Sequence, residues 1–319
     1  MVSIVSADST LSLLWDSTRL RLLVELERQG SVSAAARAVG IGQPSASEHL
    51  RLLEAAAGQR LVERNGRTSQ LTEAGRVLAS HASQALATLA AGEEELQALA
   101  GLESGTIHIG ASTTPGVYLL PDMLGCFQRD HPNVSIEVEI ASTGEIIERL
   151  LSGRIHLALV GDTATDERIE LEPLLPDEIV GIAKPGLLRR AKGKVKPEAL
   201  GAHTLLVREA QSSTQQVADR ALRAAGVEPA RVWELDSSEA IKRAAREGLG
   251  VAFVSLHAVA EEVERGELEC FRLAGHPRIE RHFHIARLAR RPPSPSEKRF
   301  VATITRCTKD AHHAAAIVG

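Results

Sequence analysis

The chain is poor in aromatic residues, with five Phe, two Trp and one Tyr among 319 residues, and it carries only three cysteines. Cys126, Cys270 and Cys307 form no CxxC or metal-ligand spacing, so neither a disulfide framework nor a zinc site is expected, and all three read as reduced, structural thiols. A long apolar run is also missing. The least charged stretch, Val77 to Gly92, is interrupted by Ser80, His81, Ser83, Gln84 and Thr88, which bilayer hydrocarbon would not tolerate. Met1 to Leu20 holds Asp8 and Asp16 with no basic residue before Arg19, unlike an export signal, so a cytoplasmic location with no membrane contact is expected. Positive charge is not in excess: 37 Lys and Arg against 41 Asp and Glu leave a formal net charge of −4. That balance excludes coating nucleic acid by bulk electrostatics, so any contact with DNA has to be local.

What is present is a globular composition, 44% hydrophobic and 24% charged, on a chain long enough for two or three domains. Before about residue 75 the pattern is a series of short helices, and after Thr106 strands and helices alternate. Between the two parts, Leu78, Ala82, Ala85, Leu89, Gly92, Leu96 and Leu99 recur at alternating spacings of 4 and 3, the seam of a coiled coil. Thr72 is placed to cap this helix. The spacing predicts a linker helix that dimerises; an amphipathic helix packed on its own domain is the alternative.

In the first part, Leu20, Leu23 and Val24 mark a helix ended by Gly30, Val32 to Val39 a second, and Gln43 to Ala57 a third after the turn Gly40-Ile41-Gly42. Ala46, Leu50 and Leu53 share one face of the third helix, which leaves Gln43, Pro44, Ser47, Glu48 and Arg51 on the other. Two short helices around a glycine turn predict a helix-turn-helix whose second helix enters the major groove N-terminus first. There Gln43 can pair with an adenine edge and Ser47 with a base or phosphate. Asn65-Gly66 is a favoured two-residue turn, so Leu61 to Arg64 and Arg67 to Leu71 predict a hairpin, an arginine-tipped wing. Eight arginines stand against seven acids over residues 1–70, a weak basic footprint that two or four copies acting together would strengthen.

In the second part, strands are predicted at Thr106 to Ala111, Val134 to Ala141 and Ile155 to Val160, with helices between, and a second unit follows: Thr204 to Val207, Arg231 to Leu235 and Val251 to Ser255. This order demands mostly parallel sheets, which bind ligands beyond the carboxyl ends of their strands. At those ends stand Ser112-Thr113-Thr114, Ser142-Thr143-Gly144, Asp162, and Arg208 with Ser212-Ser213-Thr214. Each hydroxyl cluster precedes a helix. Hydroxyls and free N–H groups at helix starts make an anion site, to which Arg208 could add a fixed positive charge; ordinary helix caps are the alternative.

The runs Gly30-Ser31-Val32-Ser33-Ala34-Ala35-Ala36, Gln43-Pro44-Ser45-Ala46-Ser47, Leu52-Leu53-Glu54, Leu61-Val62-Glu63-Arg64 and Leu71-Thr72-Glu73-Ala74-Gly75 resemble, in order and spacing, the DNA-binding region of LysR-type transcriptional regulators. The resemblance implies an α/β chain with an N-terminal all-α winged helix-turn-helix (1–71), a linker helix (72–104) and a two-lobed effector domain like periplasmic binding proteins (105–319). Its lobes are expected at about 105–162 with 269–319, and at 163–268. It further implies that Ser33, Gln43, Pro44, Ser45, Ser47, Glu48, Arg51, Arg64 and Arg67 serve DNA binding. Ser112, Thr113, Ser142, Thr143, Asp162, Arg208, Ser212, Ser213 and Thr214 would serve a small, anionic effector. Expected partners are double-stranded DNA at an inverted-repeat promoter site, further copies of the chain in a homodimer or homotetramer, and RNA polymerase. No cofactor or metal is implied.

Arg208-Glu209 followed by Ser212-Ser213-Thr214, with Ser238-Glu239-Ala240-Ile241-Lys242 and Gly248-Leu249-Gly250-Val251-Ala252, looks like the branch regulating sulfur assimilation or carbon fixation, from which Ala210-Gln211 and Gln215 depart. Gly42 stands where a capping Ser is usual, and Glu48 where many members carry Arg. His282 and His284 share a strand face with no third ligand in view. No cysteine lies between Lys184 and Glu269, which argues against a thiol switch, and no nucleophile elbow, Walker loop or dinucleotide fingerprint supports an enzyme. A solute-binding module is the chief rival, weakened by the helix-turn-helix.

Overall fold

In the computed structural model, which describes residues 16–65, 68–99, 105–161 and 166–315, three short helices and a hairpin precede one long helix and a two-lobed α/β body. Helix α1 (Ser17–Gln29) begins where Asp16 accepts from the Arg19 amide at 3.0 Å and ends at Gly30, whose φ of 62° is left-handed. Ser31 caps α2 (Val32–Val39), and the Gly40-Ile41-Gly42 turn leads into α3 (Gln43–Ala57). Leu22, Leu23, Leu26, Ala35, Ala36, Ala46 and Leu53 close a small core shared by the three helices.

Strands β1 (Val62–Asn65) and β2 (Thr68–Leu71) form the expected hairpin, but Asn65 pairs with Thr68 and so belongs to the strand rather than to the turn. Burial sets this register. Leu61 and Leu71 must both reach the core beneath α3, and a one-residue slip would turn Leu71 outward. Thr72 then accepts from the Gly75 amide at 3.0 Å and starts α4 (Glu73–Leu99). Gly75 sits against Leu61 so closely that a Cβ would collide with the Leu61 carbonyl. Gly75→Ala is therefore expected to destabilise the wing and linker junction by about 1–3 kcal/mol, read as an earlier melting transition than wild type. An unchanged melt would mean that the junction is looser than this packing.

The body is built on one ten-stranded sheet with two halves. In the first half β3 (Gly105–Ser112) runs parallel to β4 (Val134–Ala141) and β5 (Leu157–Gly161), with α5 (Thr113–Tyr118), α6 (Leu120–Asp130) and α7 (Thr143–Leu151) between them. In the second, β8 (Thr204–Val207) runs parallel to β9 (Arg231–Glu234) and β10 (Val251–Ser255), with α9 (Ser213–Ala224), α10 (Ser238–Arg246) and α11 (Leu256–Glu264); β7 (Lys194–Val195) and α8 (Pro197–Leu200) precede it. Two long antiparallel strands, β6 (Ile169–Ala183) and β12 (Ile279–Leu288), cross both halves and join the lobes. The inner strands of each half carry apolar cores on both faces, while the outer strands β4 and β9 are largely exposed. β11 (Glu269–Leu273) pairs with β6 and places Phe271 and Leu273 in the core of the second lobe, so the chain returns to the first lobe after Leu273 rather than at residue 269. The last helix, α12 (Pro295–Ala315), packs Phe300 and Ile304 on the first lobe.

One expectation fails here. Cys126 of α6 and Cys307 of α12 are joined as a disulfide with a Cα separation of 6.9 Å, while Cys270 is free. The pair is 181 residues apart in sequence, so a search for local cysteine spacing could not reveal it. Among the described residues no helix is long and apolar enough to cross a membrane, and no group of three or more His, Cys, Asp or Glu could hold a metal ion.

Candidate functional site

Two sites emerge, one on the winged domain and one between the lobes. On α3, Ala46, Leu50 and Leu53 are buried and Gln43, Pro44, Ser45, Ser47, Glu48 and Arg51 are exposed, as the spacing requires. Gly42 caps α3 with no side-chain hydrogen bond, which leaves first-turn amides open for an acceptor. Ser33 is half-buried on α2. Arg64 stands on β1 opposite Ser69; its side chain, and all of Arg67, lie outside the described residues.

Two features of this face were not foreseen. Arg51 clasps Glu48 through Nε to Oε2 at 2.9 Å and Nη2 to Oε1 at 2.6 Å, and these bonds hold the Glu48 carboxyl below its usual range. The three-residue helical spacing was the signal available for that pair. Glu54 at the far end of α3 accepts from the amides of Leu61 and Val62 at 2.8 and 3.1 Å. One carboxylate thus fixes the angle between reading helix and wing.

Between the lobes, the three hydroxyl clusters converge. Ser112, Thr113, Ser142, Thr143, Arg208, Ser212, Ser213 and Thr214 all line one small cavity of about 10 Å³, room for about one water. Asp162 lies outside the described residues. Ser142 caps α7 in a reciprocal box with Glu145, and Ser212 caps α9 through the Gln215 amide, so both clusters act as helix caps whatever else they do. Ser112 does neither: its Oγ is buried and among the described residues finds no hydrogen-bond partner. Such a group needs an acceptor or donor brought from outside. Thr114 and Thr214 touch across the lobes, oxygen to oxygen 3.4 Å. A larger recess of about 710 Å³ opens outward past Arg208, Glu145, Glu148 and Asp236.

Arg208 does not offer the free positive charge expected of it. Its guanidinium is already engaged by Glu209, at 2.7 and 2.8 Å, and by Ser238 at 3.0 Å. A buried cation that sequence reading missed lies deeper: Arg281 of β12 donates to Asp177 at 2.7 Å and to Ser213 at 3.3 Å, with side-chain exposures of 1% and 0% for the ion pair. Ser255 completes the group with a 2.7 Å bond to Asp177. His282 and His284 follow on the same strand, yet the inward-facing Arg281, one position before His282, is the informative residue.

The lobes meet a second time at Tyr118, whose hydroxyl donates to Glu239 at 2.6 Å while its ring lies 4.9 Å beneath Nζ of the buried Lys242. Burial and the Glu239 charge push the Tyr118 phenol far above its usual range. Lys242 also bonds Glu262 at 2.6 Å, which ties α10 to α11.

The winged domain is connected to the cleft by more than the linker. At the end of α7, whose first turn lines the cleft, the carbonyls of Leu151 and Gly153 accept from Ser80 and Ser83 of α4, at 3.2 and 2.5 Å. The next carbonyl, that of Arg154, accepts instead from Arg28 of α1, at 3.1 Å. Burial pushes nearby His156 down to about 3, so this junction carries a neutral imidazole at neutral pH.

The linker helix divides. Leu78 packs against the core of the winged domain, as the own-domain alternative requires, and Ala82 is buried, whereas Leu89, Leu96 and Leu99 are 69%, 70% and 86% exposed. The predicted seam therefore survives as an open apolar stripe only in the second half of α4.

Comparison with known proteins bears on both sites. Residues 17–76 match the family described as "Bacterial regulatory helix-turn-helix protein, lysR family", and residues 100–307 match "LysR substrate binding domain". A probable RuBisCO transcriptional regulator of Nostoc sp. is 32% identical over 263 residues, covering 81% of this chain and 78% of that protein. Full-length OxyR from Pseudomonas aeruginosa shares the fold with a TM-score of 0.75 at 23% identity, over 91% of this chain and 94% of that one. The regulatory domain of Synechocystis CcmR, solved in complex with 2-PG, superposes with a TM-score of 0.59 at 26% identity, over 64% of this chain and 98% of that domain.

Proposed function

The chain belongs to the LysR family of transcriptional regulators, and from that premise we propose that a small anion bound between its lobes controls how a pair of reading helices sits on an inverted-repeat promoter site. The observation that carries the DNA half is the exposed N-terminal face of α3, Gln43 to Arg51, set at a fixed angle to the wing by Glu54. Gln43, Pro44, Ser45, Ser47 and Glu48 are assigned to base edges, with Arg51, Ser33, Arg64 and Arg67 on phosphates and the wing. Arg51 reaches phosphate by loosening its clasp on Glu48, which then accepts from a cytosine amino group.

The effector half rests on the converging hydroxyls and on the unpartnered Ser112. CcmR, whose regulatory domain was solved with 2-PG, supports a small anion as the class of ligand. Ser112, Thr113, Ser142, Thr143, Asp162, Arg208 and Ser212 to Thr214 form the binding residues in this reading. Opening or closing the lobes moves the start of α7, and its far end carries that motion to α4 and α1 through Ser80, Ser83 and Arg28. The protein works in the cytoplasm as a homodimer or homotetramer through the stripe on α4, and acts on RNA polymerase bound nearby.

Selection from a random duplex pool tests the reading helix. Wild type should enrich two inverted half-sites, and Gln43→Ala should lose discrimination at one position in each, at about 1–3 kcal/mol per contact. Enrichment of no sequence by wild type overturns the assignment.

A further inference from the structure

Glu209 occupies the place of an anion. Arg208 leaves the end of β8 with its amide fixed by Gln215 Oε1 at 2.9 Å, so the loop that carries it is tied to the first turn of α9. From that anchored position the guanidinium makes three bonds, two of them to the carboxylate of its own neighbour Glu209 and one to Ser238. The pair is not a solvated surface contact: the Arg208 side chain is 10% exposed and the Glu209 side chain 25%. Both residues line the small cavity at the floor of the cleft and the wider recess above it. A fork of two parallel N–H groups facing a carboxylate is the arrangement by which arginine recognises carboxylate or phosphate ligands.

We infer that Glu209 is an internal stand-in for the effector: its carboxylate holds the Arg208 fork until an anion displaces it into the recess. This rests on reading the cleft as the effector site. Three consequences follow from the geometry. The free cleft keeps its cation paired, which avoids a partly buried lone charge. An incoming anion has to outcompete a carboxylate already in position, so weak monoanions are rejected. Glu145, Glu148 and Asp236 around the recess add like-charge repulsion that disfavours a poorly bonded anion further. The ligand that meets these conditions carries several anionic oxygens, enough to bond Arg208 and also the unpartnered Ser112.

Melting of the full chain in rising inorganic phosphate, with chloride at matched ionic strength as control, tests this. Glu209→Gln removes the competitor and is expected to reach its half-maximal rise in Tm at about tenfold lower phosphate than wild type. Glu209→Asp, too short for the same two-point contact, should fall between them, and Arg208→Lys should abolish the response. A phosphate response of equal midpoint in wild type and Glu209→Gln overturns the role of Glu209 and leaves the anion site standing. No response beyond chloride in either chain overturns both.

Discussion

Replacing Leu89 and Leu96 together by glutamate is expected to weaken binding to an inverted-repeat duplex at least about a hundredfold, because each reading helix would then bind alone. The two leucines lie one heptad apart on α4, are 69% and 70% exposed, and contact no core of their own chain. Their substitution should leave the melting of the chain itself within about 0.5 kcal/mol, as for other exposed positions. Two carboxylates on a paired seam would face two more from the partner helix, a repulsion that apolar contact could not offset. Sedimentation and fluorescence anisotropy on the same samples check this: mass and affinity should fall together. Retained mass with retained affinity would place the interface elsewhere.

Arg281→Met is expected to destabilise the two-lobed domain by about 3–5 kcal/mol, because it leaves Asp177 charged and unpaired at 0% side-chain exposure. Ser213 would lose its contact with Arg281 at the start of α9, so the cleft floor would loosen as well. The double substitution Arg281→Met with Asp177→Leu should recover much of the loss, since a buried pair replaced by well-packed apolar groups is often neutral. Denaturant unfolding of wild type, single and double variants measures both numbers. A single variant within about 1 kcal/mol of wild type would contradict the description of this pair as a sealed ion pair.

Local pattern made the winged domain legible. Helix limits at Val32 to Val39 and Gln43 to Ala57 follow from glycine stops and apolar spacing, and the buried set Ala46, Leu50 and Leu53 follows from the same arithmetic. The strand and helix alternation likewise placed Ser112, Ser142 and Ser212 at strand ends, and the sheet order brings them together. What stayed hidden depends on contacts between distant segments. Arg281 looked like one more charge on a strand until β6 laid Asp177 beside it, and the Cys126 to Cys307 link required α6 to pack along α12. The division of α4 has a similar cause: its seam is regular throughout, but only tertiary packing decides that Ala82 is covered and Leu89 is not. The neutralisation of Arg208 turns on a side-chain rotamer of its own neighbour, which spacing does not encode.

The proposed reading of a specific duplex by paired α3 helices is tested most directly by equilibrium competition between an enriched inverted-repeat duplex and random DNA of the same length, at fixed salt, with the mass of the complex recorded. A preference of at least about a thousandfold for the repeat is expected, with chains bound in multiples of two. Equal affinity for both duplexes, with single chains bound, would contradict it.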